Sequence, residues 1–379
     1  MSEPSTFPAK LSALLNASAV GVGIAIGHKT GLLDAMAALP APADCATIAA
    51  SAGLVPRYVR EWLAVMATGD LVEVSSPEPT DTAAECDKNP DAVDAALLYF
   101  LPLDHRAPLS SMAAYFEEMP LLTRNLDALC GCFRTGGGVP YAAFKDMDAW
   151  MAAGSDASMT ANLVPTLIPA MGLHDALAAG ITVCDFGCGL GTACLLLGEA
   201  YPKSHFVGVD IAEDAVAKAK ARAEERGVTN ASFVAVDATR LMEEDAIAAV
   251  RGAVPGADGV GAAVFDTALA FDSVHDSARP DALIAGVFNL LKPGGNFAMV
   301  EVTASSSLIE NKSHGMAPFC YGVSLCYCMT VSLSEPDGVG VGMMWGRERC
   351  TAALTRAGFT TPSEVMVDGF NSAFLCTKP

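Results

Sequence analysis

Positive charge is what this 379-residue chain has least of. It holds 23 Lys and Arg against 43 Asp and Glu, a formal net charge of −20. Proteins that grip nucleic acid neutralise phosphates with Lys and Arg. An anionic membrane surface asks for the same basic footprint. No nucleic-acid partner and no membrane partner is therefore expected. An unbroken apolar run of ~20 residues, the length of a membrane span, is missing too. The stretch Leu11–Gly27 comes nearest, but Ser12, Asn16, Ser18 and several glycines interrupt it. Glu3 also spoils the basic start of an export signal, so the stretch reads as a core helix. The twelve cysteines include no C-x₂-C pair; the close ones are Cys130 and Cys132, Cys184 and Cys188, Cys326 and Cys328. That excludes a zinc ribbon, and no metal site is expected. The thiols read as reduced, mostly buried groups of a cytoplasmic protein. Gly and Pro are not frequent enough for a disordered chain.

What is present is apolar material, 52% of the residues, enough for the cores of two or three domains. Lys10–Leu39 reads as two short helices parted at His28–Gly31, with Pro40-Ala41-Pro42 as a break. Helices are predicted over Thr47–Ala52 and Pro56–Thr68, Pro56 suiting a first helical turn. In the second, Val59, Leu63, Met66 and Ala67 recur at helical spacing. A weak strand, Leu71–Val74, and a turn-rich tip, Ser75–Thr80, complete a winged helix-turn-helix. That unit serves either DNA reading or packing and dimerisation. Pro42–Thr80 holds five acids against Arg57 and Arg60, which speaks against DNA.

Asp91–Trp150 reads as largely helical, with apolar runs at Val93–Leu103 and Leu121–Leu129. Within it lies Arg134-Thr135-Gly136-Gly137-Gly138-Val139-Pro140-Tyr141, a loop that either lines a cofactor pocket or links two domains. From Ile181 the rhythm becomes strand–helix alternation. Strands are predicted at Ile181–Phe186, His205–Val209, Ala231–Val236, Ala263–Phe271 and Asn296–Val302, then Glu364–Val367 and Ala373–Thr377. Helices are predicted at Thr192–Ala200, Glu213–Arg226, Pro280–Leu291 and Trp345–Ala357. Such alternation means a doubly wound α/β domain with a mostly parallel sheet. Ala304–Met344 interrupts it and is too long for a simple connection, so it reads as an active-site cover. Three divisions follow: 1–85 winged-helix-like, 86–175 helical linker and cap, and 176–379 the α/β domain with the cover at 304–344.

The strongest signal is Val183-Cys184-Asp185-Phe186-Gly187-Cys188-Gly189-Leu190-Gly191-Thr192, a strand running through a glycine turn into a helix. Gly187, Gly189 and Gly191 let the backbone turn sharply and approach a ligand. Asp210 ends the next strand and suits the two hydroxyls of a ribose. Asp237 ends the third and can reach an adenine amino group. Three acids at successive strand ends converge on the crevice where open α/β sheets bind ligands. Asp185 chooses between ligands. A carboxylate inside the glycine turn suits a cationic amine, whereas a pyrophosphate wants backbone N–H groups there. The ligand read from these residues is S-adenosyl-L-methionine rather than a dinucleotide.

These residues resemble motif I of the class I methyltransferases, with Asp210 and Asp237 matching the ribose- and adenine-binding acids. Leu291-Lys292-Pro293-Gly294-Gly295 resembles the loop before that family's fifth strand. The resemblance runs from Ile181 to Lys378. The N-terminal part is similar to winged-helix O-methyltransferases and to a bacterial-type branch with the same Arg134–Tyr141 loop. It implies a Rossmann-like seven-stranded sheet whose last strand is antiparallel, an N-terminal, mainly helical winged-helix domain, and a homodimer. Ile211, Ala238, Phe271, Asp272 and Tyr141 are expected to line the cofactor site with the acids and glycines.

A hydroxyl acceptor benefits from a base. His275, with Asp276 beside it, follows the fourth strand and resembles the catalytic His-Asp pair of winged-helix O-methyltransferases. The aromatic that commonly follows that pair is Ser277 here. Alternatively His275 caps the next helix or packs under the cover. His314, in the cover, is a rival base. Met316, Phe319, Tyr321, Met329, Met343, Met344 and Trp345 suit either a flat acceptor or ordinary core packing. The expected function is methyl transfer to the O or N of a small molecule. Other readings are a protein methyltransferase, a thiol-based metalloid methyltransferase using Cys320, Cys326 and Cys328, and a winged-helix regulator that senses the donor.

Overall fold

The computed structural model describes residues 6–75, 97–144, 147, 156, 159–257, 261–367 and 369–379. The chain divides into two compact units, Met1–Leu121 and Leu122–Pro379.

In the first unit, helices Phe7–Lys29, Leu32–Ala38, Cys45–Ala52 and Pro56–Thr68 precede a two-stranded sheet. Pro56–Thr68 buries Val59, Trp62, Leu63 and Met66, one stripe at helical spacing. Trp62 donates its indole N–H to the Gly23 carbonyl at 2.7 Å, which fastens this helix to the first. Asp44 caps Cys45–Ala52 by accepting the Thr47 N–H at 2.7 Å. Strand β1, Glu73–Ser75, pairs antiparallel with β2, Leu98–Phe100. The apolar run Val93–Leu103, read as helical, thus contributes the strand Leu98–Phe100; its aromatic residues Tyr99 and Phe100 find a partner that helical periodicity does not reveal. The end of the tip, from Ser76, lies outside the described residues, as does much of Asp91–Trp150. Helix Leu103–Thr123 closes the unit.

Two stretches, Phe7–Lys29 and Ala317–Ser334, are long and apolar enough to cross a membrane by length and composition. This corrects the expectation that none is, because scattered Ser, Asn and Gly lower the mean hydropathy only a little. Ala317–Ser334 is broken at Tyr327 (φ −135°, ψ −79°) into two helices and is half buried.

The second unit begins with helix Leu126–Thr135. It then builds a seven-stranded sheet in the order β5-β4-β3-β6-β7-β9-β8. The strands are β3 Thr182–Phe186, β4 His205–Asp210, β5 Ala231–Ala235, β6 Phe265–Phe271, β7 Leu291–Val302, β8 Ser363–Met366 and β9 Asn371–Thr377. All neighbours are parallel except β9, which runs against both β7 and β8. The doubly wound, seven-stranded fold with one antiparallel strand is therefore present. Parallel strands are buried on both faces and so read as apolar runs. One core packs Cys184, Val207, Ala268 and Met299 against Val250, Ile284 and Leu354. The other packs Val183, Phe206 and Leu269 against Leu195, Ala219 and Ile168. Lys292–Gly295 forms a bulge within β7, since pairing to β6 jumps from Leu291 to Asn296. Helix Glu244–Arg251 has no counterpart among the predicted elements; only Ala246, Ile247 and Val250 of it are buried. The cover comprises helices Leu308–Asn311, Ala317–Cys326 and Cys328–Ser334.

Candidate active site

The sheet reverses its strand order between β3 and β6, which leaves a crevice at the carboxyl ends of these strands. Asp185 sits at the end of β3 and is almost fully buried. Among the described residues its Oδ1 has no hydrogen-bond partner, while Cys194 Sγ lies 3.9 Å from Oδ2. Burial, helped by the nearby charge of Asp210, pushes its pKa up to about 7. A carboxyl so placed is a poor resident alone and a good partner for a cation. Gly187, Gly189 and Gly191 all have positive φ, 75°, 51° and 77°. A Cβ on Gly191 would come within 2.5 Å of the Phe233 ring, so glycine is required there on two counts.

Asp210, at the end of β4, holds the turn from below. Its Oδ2 accepts the Gly189 N–H at 2.8 Å and its Oδ1 the Ala212 N–H at 2.9 Å. Asp237 caps a single 3₁₀ turn, accepting the Thr239 N–H at 2.9 Å and the Thr239 hydroxyl at 2.7 Å. Arg279 approaches its other oxygen at 3.7 Å. Between these acids Ile211 is exposed. Ala238 packs against the core, and Phe271 ends β6 half-buried. Asp272 follows in a left-handed conformation, φ 47°, its N–H donated to Val300 at 2.9 Å. A non-glycine residue there marks a strained turn at the mouth of the crevice.

His275 is buried, and both ring nitrogens face acids. Its Nδ1 lies 2.5 Å from Glu301 Oε2, and its Nε2 lies 3.3 Å from Asp276 Oδ1. The Cys328 thiol, first in its cover helix, contacts both His275 and Asp276. Burial alone would lower the His275 pKa, but the Glu301 and Asp276 charges outweigh it and hold it well above the ordinary value. Burial raises the Asp276 carboxyl, and it raises the Cys328 thiol to about 12. His275 thus does pack under the cover, in a cluster suited to holding a proton or a cation.

Tyr141 stands with this cluster. Its hydroxyl bonds the Asp276 carboxylate, and its ring meets Tyr327 edge-on at 5.8 Å. The loop that carries it is fastened to the cover: Val139 donates its N–H to Thr330 Oγ1 at 2.9 Å, and Gly138 lies against the backbone of Thr330 and Ser334. His314 accepts the Met316 N–H at 3.2 Å at the start of helix Ala317–Cys326. Among the cover residues, Cys320 is buried beside Val302 and Met344.

Glu301 is the member that sequence reasoning missed. A signal existed: it is the one charged residue in the apolar run Phe297–Val302, and a charge buried in a central strand needs a partner.

Residues 177–336 match a methyltransferase domain family, and residues 18–83 match the Rv2258c-like winged HTH domain. The chain thus pairs a methyltransferase domain with a winged helix-turn-helix domain. A stretch of 129 residues is 31% identical to an S-adenosyl-L-methionine-dependent Diels-Alderase of Talaromyces variabilis. That stretch is 34% of this chain and 38% of the relative, so the match spans well under half of either. Among solved structures, human N-acetylserotonin methyltransferase, determined with SAM, is similar with a TM-score of 0.64 and 17% identity, over 100% of this chain and 99% of that one. A putative O-methyltransferase of Nostoc punctiforme has a TM-score of 0.65 and 14% identity, over 99% and 100%. At such identities the likeness shows the fold.

Proposed function

We propose that this chain, with a methyltransferase domain following a winged helix-turn-helix domain in the sequence, transfers a methyl group from S-adenosylmethionine to a small-molecule acceptor. The observation that carries this reading is the buried Asp185 carboxyl, whose Oδ1 has no partner among the described residues, beside a turn of three left-handed glycines. That site fits the donor. Asp185 meets its ammonium group, Asp210 its ribose, and Asp237 with Ile211 and Ala238 its adenine; Phe271 and Asp272 close the mouth. When bound, S-adenosylmethionine supplies an electrophilic methyl group on a positively charged sulfur.

The protein's own task is to align an acceptor and exclude water. His275 is the candidate base. Glu301 fixes its ring through Nδ1; Nε2, which faces Asp276 at 3.3 Å, takes the acceptor's proton only in the deprotonated ring, a form that the two acids disfavour. Asp276 stabilises the imidazolium that results. The apolar cover around Met316, Phe319 and Met344 suits a flat, poorly hydrated acceptor. The exposed Phe7, Leu11, Leu14, Leu15, Val22 and Ile26 of the first helix support a homodimer, and the free thiols among the described residues support a cytoplasmic location. The test is transfer of a labelled methyl group from the donor to components of a small-metabolite extract. No labelled product, with donor binding intact, would overturn it.

A second reading has its own support. The relative from Talaromyces variabilis is named for a cycloaddition, and here the His275 ring is enclosed by Glu301, Asp276 and Cys328. Under that reading the cofactor is bound and not consumed. Turnover of a polyene without formation of S-adenosylhomocysteine would favour it.

A further inference from the structure

We infer that Thr330 and Ser332, two buried hydroxyls on the cover helix Cys328–Ser334, are positioning residues that hold the Asp276 carboxylate against His275 from two sides. Both residues are only 1% exposed. Thr330 Oγ1 accepts the Val139 N–H at 2.9 Å, a contact between positions 191 residues apart. Val139 lies two residues before Tyr141, whose hydroxyl bonds the Asp276 carboxylate. Ser332 Oγ donates to the Ser277 carbonyl at 3.0 Å and accepts the Gly340 N–H at 3.1 Å. Ser277 directly follows Asp276. The next carbonyl, that of Ala278, accepts the Val339 N–H at 3.0 Å. One path thus reaches Asp276 through its side chain, the other through its backbone.

Helix geometry lets one short element serve both paths. An α-helix turns ~100° per residue, so positions 330 and 332 lie ~200° apart and face opposite ways. Cys328 and Ser332, four residues apart, share a face. That face meets the turn after β6: Cys328 contacts His275 and Asp276, and Ser332 contacts Ser277. Thr330 meets the glycine loop instead, and a Cβ on Gly138 would collide with its carbonyl. Among the described residues, the titratable groups that face His275 and Asp276 are Glu301 from β7, Tyr141 from the glycine loop and Cys328 from the cover helix. A buried hydroxyl with defined partners fixes an orientation that apolar packing leaves free. The inference rests on the methyl-transfer reading with His275 as base.

The experiment uses the full chain and two readouts across pH: NMR titration of the His275 ring in the free protein, and the rate of labelled-methyl transfer to the extract fraction that the wild type methylates. Thr330→Val should lower the rate on its alkaline plateau ~10–100-fold, the scale for a misplacement of ~1 Å. It should also move the acid limb of the profile, and the ring titration, to lower pH. The sign follows from the charges: Asp276 held less firmly stabilises the imidazolium less, so the ring gives up its proton sooner. Thr330→Ser keeps the hydroxyl and should restore both. Tyr141→Phe should match Thr330→Val, and the double variant should be no worse, since both cut one path. Ser332→Ala cuts the other path and should add to Tyr141→Phe. Ser334→Ala, whose hydroxyl bonds Val331 of its own helix, should change neither readout. Should Thr330→Val fail to fold, Tyr141→Phe must still move the ring titration to lower pH. A titration unmoved in Thr330→Val, a loss that Thr330→Ser does not restore, or effects of Thr330→Val and Tyr141→Phe that multiply would overturn the positioning role. A wild type that labels no fraction would sink the methyl-transfer reading, and the ring titration would still judge the two ties.

Discussion

The imidazole of His275 and the carboxylate of Glu301 meet at 2.5 Å inside the protein, Glu301 with no exposed surface at all. One comes from the turn after β6, the other from the adjacent strand β7. The register of β6 on β7 and the turn Asp272–His275 together set their distance. Under the proposed function Glu301 is a positioning residue, acting through the ring that it holds.

Replacing His275 with Ala should lower methyl transfer ~10²–10⁴-fold, the usual contribution of a general base. Donor affinity should change little, since the proposed donor site at Asp185 and Asp210 does not include the ring. Glu301→Gln should reduce kcat while leaving the acceptor KM nearly unchanged, because the ring loses its orientation and not its presence. Steady-state kinetics beside donor calorimetry would check both. Wild-type turnover in His275→Ala would place the base elsewhere.

Asp210 has two duties, and its removal should show both. Its carboxylate anchors the Gly189 and Ala212 amides, and it is the acid expected at the ribose. Asp210→Ala should weaken donor binding by ~1–3 kcal/mol, the scale for a lost charged hydrogen bond. Asp210→Asn should retain part of the anchoring and lose less. Equal affinity in all three proteins, measured by calorimetry, would refute the assigned cofactor site.

Much of this was legible before any coordinates. The glycine turn and the three acids announced themselves because strand, turn and helix signals coincide with chemistry over a short span. The helices Thr192–Ala200, Glu213–Arg226 and Pro56–Thr68 have the predicted bounds, since Gly and Pro punctuate their ends. Glu301 and Cys328 were not legible in the same way. Their roles come from parallel pairing and from the fold of the cover, which join residues far apart in the chain. Leu98–Phe100 was missed for a related reason: a three-residue strand has too few residues to display a period.

Asp185 should couple donor binding to protons. With its carboxyl pushed up to about 7 in the free protein, it is largely protonated at pH 6 and largely ionised at pH 8. Only the ionised form pairs with the donor's ammonium group. Binding should therefore release a proton near and below neutrality, and affinity should rise ~10-fold from pH 6 to pH 8. Calorimetry in buffers of different ionisation enthalpy reads the proton directly. Asp185→Asn should lose the pH dependence; a flat wild-type profile would contradict the assignment.

Glu118, in helix Leu103–Thr123 of the first unit, offers a stability test separate from the site. Burial raises its carboxyl from the ordinary value to about 7, and it is only 6% exposed. Its folded-state pKa lies above the unfolded one, so the folded chain holds a proton there that the unfolded chain has released. Its contribution to stability is greatest below about 4.5, declines as pH rises toward 7, and is flat above. The full swing is at most about 3 kcal/mol. Glu118→Gln keeps the shape without the ionisation, so it should be more stable than wild type at pH 8 and close to it at pH 4.5. Denaturant unfolding of the first unit's tryptophan, Trp62, at both values would measure the difference. An equal gap at the two pH values would mean that the carboxyl ionises freely in the folded chain and is not penalised by its surroundings.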